Sequence, residues 1–108
     1  MTIQLEKDKE KDMAETIDEI SINYEDEEGR LIVKELDKEI LSRGAWTTIM
    51  FLYMEMNRQT GEYGPEKVSI RRYRKVGGVF RQQSKFNISN AKQAGKISDV
   101  LNRWFSEK

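Results

Sequence analysis

The feature that most restricts this chain is a glycine pair, Gly77-Gly78, set between two strand-like runs. Two consecutive residues that tolerate positive φ suit the two-residue turn of a β-hairpin. Upstream, Lys67-Val68-Ser69-Ile70-Arg71-Arg72-Tyr73-Arg74-Lys75 carries five cations in nine residues, and downstream residues 79–88 (VFRQQSKFNI) read as the returning strand. In the first run Val68 and Ile70 share one parity, and Ser69, Arg71, Tyr73 and Lys75 share the other. Arg72 and Arg74 fall on the Val68 side. Either the apolar face ends there, or a bulge shifts the register. In the second run Phe80, Phe86 and Ile88 oppose Arg81, Gln83, Lys85 and Asn87.

A helix follows. Asn90 with Gln93 three residues later resembles a capping box, and Ala94, Ile97, Val100, Leu101, Trp104 and Phe105 form one apolar stripe. Lys92, Lys96, Asp99 and Arg103 take the opposite face. Upstream of the hairpin, residues 46–56 (WTTIMFLYMEM) are the clearest strand and are apolar on both parities, so they call for cover on both faces. Residues 57–66 are a loop marked by Gly61, Gly64 and Pro65. Residues 31–42 fit strand or helix, because Val33, Leu36 and Ile40 also match helical spacing; strand is favoured for residues 38–42, ahead of the Arg43-Gly44 turn.

Residues 1–30 contain the alternating run Glu6-Lys7-Asp8-Lys9-Glu10-Lys11-Asp12 and the acidic turn Glu25-Asp26-Glu27-Glu28, and are expected to be a disordered or weakly structured acidic tail, with Ile17, Ile20 and Ile22 compatible with a short helix or strand over residues 15–24. The foldable part is residues 31–108, of which about 70 to 75 residues carry the core, a size at which a lone core is marginal. A second copy would relieve that shortage. The expected architecture is therefore α+β: four strands, then one C-terminal helix, as a homodimer.

The formal net charge of zero conceals an asymmetry. Residues 1–40 hold fourteen acids and six bases, while the remainder holds thirteen bases and five acids. That division points to an acidic segment beside an anion-binding domain. With no cysteine and no histidine, the common nucleophile–base pairs and zinc sites cannot be built. The few carboxylates beyond residue 40 show no pairing pattern. The expectation is a protein without catalysis, cofactor or metal. No apolar run approaches the ~20 residues that span a bilayer, and no secretory signal is visible, so a cytoplasmic location is the default.

What remains is a basic hairpin with interleaved aromatics. Unpaired nucleic acid is held by a cationic groove that follows the phosphates and by planar groups that stack on bases. Lys67, Arg71, Arg74, Lys75, Arg81 and Lys85 suit the first task; Tyr73 and Trp46 suit the second.

Over residues 38–104 the order of elements resembles the positive cofactor four family of single-stranded-DNA-binding transcriptional coactivators, in its short bacterial form. The likeness is tightest at Val68-Ser69-Ile70-Arg71-Arg72-Tyr73 and at Lys85-Phe86-Asn87-Ile88-Ser89 before the helix. The resemblance implies a homodimer whose curved four-stranded antiparallel sheets offer a groove to single-stranded DNA, with the C-terminal helices, and so Ile97, Leu101, Trp104 and Phe105, at the interface. It assigns Arg71, Tyr73 and Lys85 to that groove. Arg74 stands where the family often has an aromatic residue, and Phe86 replaces a usual glycine. The expected role is an accessory factor in transcription or DNA metabolism. RNA binding, or a protein-interaction module using the same sheet, is the competing reading.

Overall fold

The computed structural model describes residues 14–106. After a single 3-10 turn at Ile17–Glu19, five strands follow: β1 Tyr24–Glu25, β2 Leu31–Ser42, β3 Trp46–Glu55, β4 Lys67–Val76 and β5 Val79–Ile88. Helix α1, Ala91–Phe105, closes the chain. Each strand pairs antiparallel with its sequence neighbour, so the sheet is a meander in the order β1-β2-β3-β4-β5. The α+β class and the curled antiparallel sheet with a C-terminal helix match expectation; the strand count does not. The sheet has five strands rather than four, because Tyr24 and Glu25 add a short strand against Val33 and Leu31.

Strand β2 takes in the whole ambiguous stretch. Two register shifts, between Glu35 and Asp37 and between Ile40 and Ser42, explain why its apolar spacing imitates a helix. At each shift one leucine is left over: Leu36 and Leu41 are displaced and remain 38% and 51% exposed. Val33, Glu35, Lys38 and Ile40 are thereby kept facing Glu55, Tyr53, Phe51 and Ile49 of β3.

The core lies on one face of this sheet, under the segment 14–23. Ile49, Phe51 and Tyr53 from β3, Tyr73 from β4 and Phe80 from β5 pack with Ala14, Ile20 and Ile22. Ile20 and Ile22 are each 2% exposed, which a disordered tail would not allow. Several polar contacts secure the segment. Lys38 Nζ donates to the carbonyl oxygens of Ile17, Asp18 and Ile20 at 2.9, 3.2 and 2.6 Å. The Phe80 amide donates to the Ala14 carbonyl, and Ile22 N–H donates to Glu35 Oε1. Residues 14–30 are thus structured, and the part of the expected tail before Ala14 lies outside the described residues. The reason is apolar shortage: without Ile20 and Ile22, Ile49 and Phe51 would face water.

Strand β3 is consequently not buried equally on both sides. Its Thr47, Ile49, Phe51 and Tyr53 side is sealed, while Met50, Leu52 and Met54 are only half-buried. Buried Thr47 and Ser69 are both satisfied: Thr47 Oγ1 donates to the Gly44 carbonyl at 2.8 Å, and Ser69 Oγ donates to Asn87 Oδ1 at 2.6 Å.

At the hairpin turn Gly77 and Gly78 have φ of 62° and 85°, the left-handed values for which the glycine pair is suited. Helix α1 begins as the sequence predicts, with Asn90 Oδ1 accepting from Gln93 N–H and Gln93 Oε1 accepting from Ser89 N–H, both at 2.8 Å. It then stands away from the sheet. No α1 residue is buried, and Trp104 and Phe105 are each 62% exposed. The radius of gyration, 15.6 Å, exceeds the ~13 Å usual for a compact chain near 100 residues. Among the described residues no helix is long and apolar enough to cross a membrane.

Candidate nucleic-acid interface

Strand alternation and register assign every hairpin side chain to one of two faces. On the core side the cross-strand rows are Phe51–Ser69–Asn87, Ile49–Arg71–Lys85 and Thr47–Tyr73–Gln82, with Tyr53–Lys67 at one end and Lys75–Phe80 at the other. On the outer side the rows are Leu52–Val68–Ile88, Met50–Ile70–Phe86, Thr48–Arg72–Ser84 and Trp46–Arg74–Arg81. Across β3–β5 the outer face therefore grades from apolar, nearest α1, to cationic, nearest the hairpin turn, while β2 sets Asp37 beside Leu52 and Glu39 beside Met50 on the same face.

One bulge produces this division. The register shifts between Arg72 and Tyr73, where Arg72 pairs with Ser84 but Tyr73 with Gln82, leaving Gln83 over. Beyond it, β5 side chains exchange faces. Phe80 enters the core at 5% exposure, whereas Phe86, of the same parity, is 55% exposed on the outer side. Arg81 parts from Lys85 and joins Arg74. A shared parity for Phe80 and Phe86, and for Arg81 and Lys85, was the simple reading of alternation; the bulge overturns it.

The eight residues expected to bind nucleic acid are thus not one set. Lys67, Arg71, Tyr73, Lys75 and Lys85 are on the core side, and Trp46, Arg74 and Arg81 on the outer side. Tyr73 is a core residue, 3% exposed, because the segment 14–23 and Phe80 cover the same face; its ring is not a stacking platform. Lys67 is held by Glu55 at 2.9 Å, and that hydrogen bond raises its pKa, so the ammonium keeps its proton more tightly. Arg71 is held in place without being neutralised: Nε donates to Ser69 Oγ at 3.0 Å and Nη1 to Gln82 Oε1 at 3.0 Å. Lys85 is its direct cross-strand neighbour.

On the outer side Trp46 is 42% exposed. The Arg72 guanidinium carbon lies 4.4 Å from its ring centroid and that of Arg74 5.4 Å. Such contacts are favourable and hold the guanidinium planes at the ring. Arg72 was absent from the set drawn from sequence. Its signal was present in the broken alternation of β4, where two arginines continue the Val68–Ile70 parity.

A scan of protein-family models and searches of curated proteins and of solved structures found no match to this chain. What the fold and site define is a class alone: a curled β-meander with a basic hairpin and a C-terminal helix that buries none of its residues.

Proposed function

We propose that this protein binds single-stranded DNA, or locally melted duplex, as a homodimer and without catalysis, through the cations of the β4–β5 hairpin. One observation carries the reading. Arg71, Arg72, Arg74, Lys75, Arg81 and Lys85 crowd onto the hairpin, and none belongs to an ion pair among the described residues. Like charges so gathered repel one another; a polyanion offsets that repulsion and releases its own counterions. The exposed Trp46 ring favours an unpaired strand over a duplex, whose bases are already stacked. The resemblance to the positive cofactor four family, in its order of strands and helix, agrees with this reading.

The homodimer rests on α1. At 150–250 Å² per aromatic side chain, Trp104 and Phe105 together leave roughly 250 Å² of ring surface bare at their 62% exposure. Leu101 and the half-buried Ile97 extend the patch along the helix. A second copy of the same stripe is its natural cover.

Labelled oligonucleotide titrated into the wild-type protein, Arg71→Ala and Lys85→Ala at two salt concentrations tests the proposal. Wild-type affinity should fall with salt by about 0.7 log units per log unit for each phosphate neutralised. Both variants should bind more weakly and retain wild-type mass in light scattering. Unchanged binding in both would remove these residues from the site.

A further inference from the structure

We infer that the outer-face cluster of Trp46, Arg72, Arg74 and Arg81 is a subsite for one unpaired nucleobase and its flanking phosphates, on the side of the sheet opposite the core. The inference rests on the single-strand-binding reading above and adds to it a base-binding contact on the outer face. A groove centred on the core-side face is blocked where Ala14, Ile20 and Ile22 already fill it. Core-side cations remain reachable only around that filling. On the outer face the segment 14–23 has no place, and the Trp46–Arg74–Arg81 row is open.

Three features fit this ligand together. The row has no β2 member, because β2 ends at Ser42, opposite Thr48, so the indole is free on that flank. Its ring is 42% exposed although two guanidinium groups already lie against it. A ring recruited only to cover arginine stems would not need three guanidinium groups in adjacent rows beside it. Next to the row stand Thr48 and Ser84, neutral hydroxyls that add hydrogen-bonding capacity and no competing negative charge. A flat aromatic group between anions satisfies all of these: the base stacks on the indole, and the phosphates take the outward edges of Arg74, Arg72 and Arg81.

The test compares two strands of equal length on the full chain, one carrying bases and one abasic throughout. Trp46→Leu should weaken binding of the base-bearing strand by roughly 5- to 150-fold more than that of the abasic strand, the usual worth of one stacked base. Trp46→Phe, which keeps a ring, should recover much of the loss. Arg81→Ala should weaken both strands. Equal effects of Trp46→Leu on the two strands, or none on either while Arg71→Ala still weakens binding, would overturn the subsite and leave the single-strand reading standing. Absence of binding to either strand by the wild-type protein would overturn both. If circular dichroism finds Trp46→Leu unfolded, the wild-type preference decides: tighter binding of the base-bearing strand and its retention in Trp46→Phe uphold the subsite, and no preference overturns it. An RNA strand bound more tightly than DNA of the same sequence would keep the subsite and transfer it to RNA.

Discussion

Replacing Ile22 by alanine tests whether the acidic N-terminal region is part of the domain. Ile22 is 2% exposed and packs in the cluster with Ile49, Phe51 and Tyr53, and its backbone N–H is held by Glu35. The substitution removes three carbon atoms from that contact, worth about 2.4 kcal/mol at ~0.8 kcal/mol per buried carbon. A residual cavity raises the cost, while the freedom of a segment that packs on one side only lowers it; about 2–4 kcal/mol is the expected loss. For a domain near 100 residues that corresponds to a fall in Tm of roughly 10–25 °C. Urea denaturation followed by circular dichroism measures it, with the same slope required in both proteins. A change within ~0.5 kcal/mol, the usual effect of an exposed substitution, would refute the assignment of Ile22 to the core. The same reasoning governs truncation. Deleting residues 1–13 leaves Ile20 and Ile22 in place, whereas deleting residues 1–30 removes one side of the core, so only the shorter deletion isolates the charged run.

Two further outcomes follow from the geometry. Gly78→Ala places a side chain at φ 85°, where nothing lies within 4 Å of the added carbon; backbone strain alone should cost about 1–2 kcal/mol, read from a urea midpoint. Trp104→Glu puts a charge in the bare stripe of α1 and should convert a dimer to monomer in light scattering with little change in the melting of the sheet, since Trp104 is 62% exposed in the single chain. A monomeric wild-type protein would refute the helix-mediated assembly.

Much of the local structure was legible because it depends on neighbouring residues. The Gly77-Gly78 turn, the cap at Asn90 and the apolar stripe of α1 are matters of backbone freedom and 3.6-residue spacing. The strand at residues 46–55 and its flanking turns were equally plain. Parity was legible only up to the first bulge. In β2 the displaced Leu36 and Leu41 made a strand imitate a helix, and in β5 the extra Gln83 sent Phe80 inward and Phe86 outward. A bulge inserts one residue, and nothing in the local composition marks which one it is.

The sequence by itself determined the hairpin, the helix and the surplus of cations between residues 67 and 85, because propensity, turn chemistry and charge are properties of the chain. The tertiary structure decided which of those cations share a face, that Tyr73 is a core residue, that Lys67 is spent on Glu55, and that Ile20 and Ile22 complete the core. The physical reason is that a sheet has two sides. Which side closes depends on where distant apolar residues must hide, and here the segment 14–23 closes one side and leaves the arginine–tryptophan row on the other.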